Sequence, residues 1–518
     1  MFGRMVSGGW IRRLGDFGWR AGLALGLSAA LAATPVFAQD EPEPLAAPLA
    51  PPPPRAYQPP PAPNISLKPE QVDLMRRTLA EVETQGFEHE AFTPDNLDSL
   101  LQSKVPGARR EGELDLMEAI LRYAHAVHGG RLAPAAFLNE WGLRPAPFDP
   151  LPGLVAAVNA DRLEAWLDGL APPYTGYQSL RTALATYRAI VSAGGWDRIA
   201  EGPDLKLGVS DPRVGALRTR LALEDPGFAS QPLPKAIRLF DDGLLQAVVR
   251  AQKRYGLEPN GVVGKSTLQA LNVSAEERVA QILANMERWR WLPQTLPTDR
   301  IQVNIAAAVL TVFQDDTPTL SMRAVTGRPD DQTPMLQSQV QSIVFNPPWN
   351  VPSSIATKEL WPKEKAHPGY LKKNDFIVIK TPDGGVRLQQ KAGPKAALGR
   401  VKFDFPNRYG VYLHDTPAHS GFGRYERQIS HGCVRLERPV VLANALLDGD
   451  PKWTPDYVQT TLDGGDTVRA PLQNPIAVFL FYWTAFVGSD GMTNFRADPY
   501  DWDAALMQRI AAGTRGAA

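Results

Sequence analysis

Residues 411–439 read VYLHDTPAHSGFGRYERQISHGCVRLERP, and they hold the one cysteine of the chain, Cys433, with three of its seven histidines, His414, His419 and His431. Pro417, Gly421, Gly423, Gly432 and Pro439 break the stretch into short pieces joined by turns. A cysteine attacks as its thiolate, and neighbouring imidazole and guanidinium groups favour that form. His414, His431, Arg435 and Arg438 are the candidates here. Gly432 permits a tight turn just before Cys433. The N–H groups of Gly432 and Cys433 can then face one carbonyl oxygen, as an oxyanion requires.

Two other readings compete. An inert structural cysteine sits in apolar surroundings, whereas Cys433 has glycine, histidine and arginine about it. Zinc would take Cys433, His414 and His431 as ligands, but their spacing matches no common structural zinc pattern and no acidic cluster supplies a base. Between the histidines, both are open as the general base. His431 is near in sequence, but the turn at Gly432 can point it away from the thiol. His419 is expected to face solvent.

The motif Ser430-His431-Gly432-Cys433-Val434-Arg435, with fifteen residues intervening between His414 and the serine, resembles the signature of the L,D-transpeptidases with a YkuD-type catalytic domain. Outside it, Gly327-Arg328-Pro329, Gln332-Thr333-Pro334, the segment from Asn346 to Pro352 (NPPWNVP) and the segment from Ala397 to Phe403 (ALGRVKF) resemble the larger YcbB-like subgroup. The likeness runs from about residue 65 to 512.

This resemblance implies that Cys433 attacks the carbonyl between an L-centre and a D-amino acid in a tetrapeptide stem of peptidoglycan. His414 is then the base. Gly432 and Cys433 supply oxyanion amides. Ser430, His431, Arg435, Tyr412, Trp349 and Asn350 position the substrate or line its pocket. D-Alanine leaves, a thioester remains, and an amine of a second stem takes the acyl group in a 3→3 cross-link. Alternatives are another acceptor (water, a D-amino acid or an envelope protein) or a non-catalytic peptidoglycan-binding scaffold. The implied partners are donor and acceptor stem peptides, carbapenems as inhibitors and other cell-wall synthesis proteins. No metal or cofactor is implied.

The rest of the chain is read outward from this motif. Among 518 residues, 55 Lys and Arg balance 55 Asp and Glu. That balance speaks against nucleic-acid binding, which needs a basic excess. The length implies several domains. Arg4, Arg12, Arg13 and Arg20 precede the apolar run 21–33 (AGLALGLSAALAA) and Val36-Phe37-Ala38. This is the layout of a signal peptide over residues 1–38, with an uncleaved signal anchor as the alternative. A periplasmic location follows. There a lone thiol is a liability that needs a reason. Residues 39–64 are a proline-rich linker, extended and unable to bury a core.

Residues 65–204 read as a helical scaffold, with apolar periodicity over 72–83, 111–127 and 156–171. Thr93 is expected to cap a helix with Pro94 at its first position. His89, His125 and His128 lack metal spacing. Residues 205–274 read as three short helices, and FDDGLLQAVVRAQKRYGLEPNGVVGKSTLQAL (residues 240–271) resembles a helical peptidoglycan-binding module. Residues 275–298 read as a connecting helix ending in Trp289-Arg290-Trp291. Residues 299–512 read as a mainly β catalytic domain, an α+β, β-sandwich-like fold. Strands are expected at 301–305, 308–313, 320–325, 341–345, 376–380, 410–414 and 476–483, and helices at 438–447 and 502–512. Within it, residues 353–395 interrupt the strand pattern with Pro362, Pro368, Pro382 and eight lysines, among them Lys358 and Lys363. The resemblance implies a basic insertion capping the active site.

Overall fold

Helices in the first half begin where proline or a capping side chain lets them. Pro69 and Pro106 sit at the starts of the helices Pro69–Ala80 and Pro106–Gly129, where a missing N–H removes no helical hydrogen bond. Ser274 and Glu277 form a reciprocal capping box on the helix Ala275–Arg290, with bonds of 2.7 and 3.1 Å. The computed structural model describes residues 57–382 and 384–515. The signal segment 1–38 and the linker up to residue 56 lie outside the described residues. The described end of the linker, residues 57–64, forms no helix or strand, and Tyr57 stacks on His125 at 3.7 Å. Among the described residues no helix is long and apolar enough to cross a membrane.

Two helical expectations are corrected. No helix starts at Thr93: its hydroxyl finds no partner, and the helix there is the short Leu97–Leu101 behind Asn96. The single helix expected at 156–171 is two, Pro150–Asn159 and Leu163–Asp168. The break falls at Asp161, which takes a left-handed φ of 54°. Its carboxylate accepts from Gln71 Nε2 at 3.1 Å and pairs with Lys68. That tie to the first helix fixes a turn that apolar periodicity does not record.

The helical module follows the expected pattern. The three expected helices are Arg213–Ala222, Asp242–Arg254 and Lys265–Leu271, with a further single turn at Pro226–Ala229. Val214, Leu217, Leu221, Leu244, Val248, Ala251 and Tyr255 are all buried. Asp241 caps the second helix through Leu244 N–H at 2.9 Å.

The helix Ala275–Arg290 is more than a connector. Ile282, Ala284 and Met286 are wholly buried, and polar side chains tie it on several sides. Asn285 Nδ2 donates to Thr484 Oγ1 at 2.7 Å, Gln281 Nε2 donates to Arg496 O at 2.8 Å, and Arg288 pairs with Asp503 at 2.5 Å. Its Glu287 accepts from Arg290 at 3.0 Å and from the Arg131 backbone at 2.5 Å.

The second half is mainly β. In chain order its strands are β1 (Arg300–Asn304), β2 (Val309–Gln314), β3 (Thr317–Gly327), β4 (Leu336–Phe345), β5 (Trp349–Asn350), β6 (Phe376–Lys380), β7 (Val386–Gln390), β8 (Val401–Asp404), β9 (Leu413–His414), β10 (Gln428–Ser430), β11 (Val434–Leu436), β12 (Val468–Phe481), β13 (Ala485–Val487) and β14 (Thr493–Phe495). The main sheet runs β10-β3-β11-β9-β8-β4-β12-β1-β2, and β2 also pairs with β3. The ladder therefore closes on itself: β3 gives its first part to β2 and its last residues to β11 and β10. Closure removes edges that would otherwise offer unpaired N–H and C=O groups. The molecule is thus multidomain, helical first and then mainly β, as expected.

Several strands differ in length from the expectation; β3 and β4 extend beyond 320–325 and 341–345 to Thr317–Gly327 and Leu336–Phe345. The strand expected over 410–414 pairs only at Leu413–His414. Asn407 accepts Val411 N–H at 3.1 Å and donates to Val411 O at 2.7 Å, so that backbone closes a turn instead of a ladder. The run expected at 476–483 starts earlier, as β12, with an irregularity between Pro471 and Ile476 that accommodates proline in a strand.

The insertion over 353–395 folds as a small body on its own core. β5, β7 and β6 make a three-stranded sheet. Val351, Ala356, Leu360, Leu371 and Leu388 pack together beneath short helices.

Candidate active site

The site is written into two neighbouring strands. β9 and β11 lie parallel, with Leu413 opposite Val434 and His414 opposite Arg435. Leu413, Val434 and Leu436 are fully buried in the core. Alternation then sends Tyr412, His414, Cys433 and Arg435 to the other face. Four of the residues singled out in the sequence thus share one patch of sheet.

His414 is buried, and its Nδ1 donates to the Asp415 carbonyl at 2.5 Å. That bond assigns the proton to Nδ1 and leaves Nε2 as an acceptor. Burial, with Arg435 and Lys402 nearby, pushes its pKa down to about 3, against the Asp415 and Leu398 carbonyls, which raise it. Burial raises the Cys433 thiol, opposed by hydrogen bonding to Tyr412 and by the positive charges of Lys402 and Arg435. Burial, with Cys433 alongside, raises the Tyr412 hydroxyl far above the ordinary tyrosine value. At neutral pH the resting site therefore holds a neutral imidazole and a neutral thiol. Arg435 is itself lowered by burial. Its Nε is buried without a hydrogen bond, and among the described residues no carboxylate pairs with it.

The turn bearing Cys433 is braced from behind. Gly432 has a φ of 104°, a conformation side chains disfavour. Ser430 Oγ donates to Cys433 O at 2.6 Å and accepts from Gly432 N–H at 3.2 Å. Ser430 is buried at 1% exposure, so its hydroxyl supports the turn and does not face a ligand. Gly432 N–H is engaged by that hydroxyl and is not directed at an oxyanion in this conformation. No hydrogen bond holds Cys433 N–H among the described residues. Thr333 Oγ1 donates to Gly432 O at 2.7 Å, and Thr333 is itself held by Gly327 N–H at 2.8 Å and by the Tyr500 hydroxyl at 3.2 Å.

The remaining expected residues divide. His431 Nε2 donates to Glu359 Oε1 at 2.5 Å, so its ring turns to the insertion. Trp349 lies near enough to the Tyr412 hydroxyl to lower its pKa, against the larger rise from burial. Asn350 is exposed, and its Oδ1 accepts from Arg387 at 2.9 Å and Gln389 at 2.8 Å. It braces the insertion's sheet instead of entering the pocket. Arg438 donates to the Ser321 carbonyl, and His419 is exposed. Among the described residues no cluster of His, Cys, Asp or Glu is arranged to hold a metal ion.

Several residues at the site were not singled out in the sequence. Lys402 stands 4.3 Å over the Tyr412 ring. Asp415 acts through its backbone, while its carboxylate is pinned by Arg400 N–H at 2.8 Å and Thr416 N–H at 2.7 Å. Gly399 is required beside it, because a Cβ there would come within 2.4 Å of the Asp415 carboxyl carbon. Glu359 carries no local signal at all, being remote from the motif in the chain.

Three segments of the chain match known domain families. Residues 298–453 match the L,D-transpeptidase catalytic domain (YkuD), residues 66–184 the "Scaffold domain", and residues 210–271 the "Putative peptidoglycan binding domain". A Haemophilus influenzae protein described as "Putative L,D-transpeptidase" is 33% identical over 260 residues, covering 46% of this chain and 52% of that one. The chain thus spans about half the length of the curated relative it matches. The crystal structure of an L,D-transpeptidase from Xylanimonas cellulosilytica is similar at 16% identity, over 54% of this chain and 99% of that one, with a TM-score of 0.20. An L,D-transpeptidase from Mycobacterium smegmatis is similar at 15% identity, over 36% and 58% respectively, with a TM-score of 0.17. Residues 298–453 are thus similar to the YkuD-type L,D-transpeptidase catalytic domain, and residues 210–271 to a peptidoglycan-binding domain.

Proposed function

We propose that this protein is a cysteine L,D-transpeptidase acting on peptidoglycan stem peptides. The observation that carries the reading is Arg435. It is a half-buried cation with no carboxylate partner among the described residues and a buried, unbonded Nε, two residues from the thiol and on the same strand face. Such a group is costly unless an anion joins it, and stem peptides bring carboxylates. A carboxylate at Arg435 would offset the charge that depresses His414 and so make the imidazole a stronger base when substrate is bound.

In the proposed reaction His414 Nε2 takes the Cys433 proton, and sulfur adds to the donor carbonyl carbon. The Cys433 N–H is the available donor to the developing oxyanion. The C–N bond to D-alanine breaks as the imidazolium protonates the leaving amine, giving a thioester. An acceptor amine then gives its proton to His414, attacks the thioester carbonyl, and the C–S bond breaks to restore the thiol. The insertion, through Trp349 against Tyr412 and Glu359 against His431, would cover the thioester from water and favour transfer over hydrolysis. We place the protein in the periplasm on the signal-like residues 1–38, and expect carbapenems to acylate Cys433 through their strained carbonyl.

The test is incubation of the protein and of a Cys433→Ala variant with purified muropeptides, read by mass spectrometry. The expected products of the native protein are dimers that have lost a terminal D-alanine, absent with the variant. Shortened monomers alone would reject the transpeptidase in favour of a hydrolase. Equal products from both proteins would remove Cys433 from the chemistry.

A further inference from the structure

The insertion is tied to the catalytic turn by one carboxylate. Ser353–Ile355, Ala356–Leu360 and Trp361–Ala366 run on as one helical stretch, but the middle segment is a π-helical turn. Pro362 explains the widening. It has no N–H for the Lys358 carbonyl, and its ring would clash with that carbonyl in an α-helix. Widened turns of this kind recur at functional sites. Here Ala356 and Leu360 stay buried in the insertion's core, while Glu359 projects toward the catalytic motif.

Glu359 Oε1 accepts from His431 Nε2 at 2.5 Å, with Arg328 and Lys363 each 3.7 Å from the carboxylate. Arg328 is already paired with Asp331 at 2.5 Å, so His431 is the principal partner. His431 stands two residues before the nucleophile. Trp349, just before the insertion, lies close enough to the Tyr412 hydroxyl to lower its pKa. Both contacts therefore fall at the insertion's N-terminal side, one at the turn before Cys433 and one at Tyr412.

We propose that Glu359 is a positioning residue that latches the insertion onto His431 and so keeps water from the acyl-enzyme. The inference rests on the acyl-enzyme reading above. It gives the second histidine of the motif a task other than proton transfer. In the unwanted reaction, water adds to the thioester carbonyl, the C–S bond breaks, the thiol regains a proton and the acid is released. A loosened insertion would admit that water.

The experiment acylates the full protein and its Glu359→Ala, Glu359→Gln, His431→Ala and Glu359→Ala/His431→Ala variants with meropenem. Intact-mass spectrometry then follows loss of the adduct. Glu359→Ala is expected to lose it about tenfold faster, a change of roughly 1.4 kcal/mol in barrier. Glu359→Gln keeps an acceptor for His431 and is expected to stay within about threefold of the native rate. The double variant should be no faster than either alanine single variant, since both break one interaction. Adduct lost at the native rate in Glu359→Ala, or additive effects in the double variant, would overturn the latch. If Glu359→Ala does not fold, His431→Ala carries the same comparison from the other side of the contact. Failure of the native protein to be acylated at Cys433 would instead reject the reading on which the latch rests.

Discussion

His414 shows how one side chain joins stability to chemistry. Its native pKa of about 3 lies below the ordinary histidine value of 6.5 because the ring is buried beside two cations. The unfolded chain therefore binds more protons between those values. The stability that depends on a neutral His414 is present above about pH 6.5 and is lost as pH falls toward 3. His125, pushed down to about 4 by burial, acts in the same direction. The denaturation midpoint of the native protein is expected to fall steadily as pH is lowered from 6.5 to 4. A His414→Gln variant should give a shallower slope, and identical slopes would contradict the assignment. At this scale the sequence put forward Cys433 with His414, His431, Arg435 and Arg438 around it, and only the family resemblance chose His414 between the histidines. The sequence could not show Asp415 or Leu398, which act through carbonyls that every residue has.

At the scale of elements, the turn at Gly432 places Cys433. No backbone atom crowds the space a Cβ would take there: its nearest neighbours are Gln332 O at 3.5 Å and Asp331 O at 3.8 Å. The requirement for glycine is therefore conformational. Gly432→Ala is expected to cost about 1–3 kcal/mol of stability through its φ alone, and to slow β-lactam acylation because the turn relaxes. Native acylation with normal stability would show that the left-handed turn is dispensable. Elements were legible where a local pattern repeats, as in Lys265–Leu271 and β6, found at the expected residues. They were not legible where a distant side chain decides: Gln71 and Lys68 at the Asp161 break, and Asn407 at the foot of β9.

Across the whole molecule, Glu287 is the point where the N-terminal helices meet the helix Ala275–Arg290. Its side chain is 0% exposed and accepts from Arg290 and from the Arg131 and Leu132 backbones. Arg290 also reaches the Tyr177 hydroxyl at 2.9 Å and Gln85 O at 2.5 Å. Glu287→Ala would strand a buried guanidinium, at a cost of about 3–5 kcal/mol. Chemical denaturation should show a marked fall in midpoint, and an unchanged midpoint would dismiss the network as a structural tie. The closed circuit of strands has a different kind of consequence. β11 is three residues long, yet it is held by β9 on one side and by β3, far earlier in the chain, on the other. So short a strand with so remote a partner is assembled late, since loop closure must precede any gain from pairing. Cys433 meets His414 only when that last seam is sewn. A half-folded chain carries an exposed cysteine of ordinary acidity, whereas burial raises the thiol of the folded one, so fast reaction with a general alkylating reagent marks chains whose folding is incomplete.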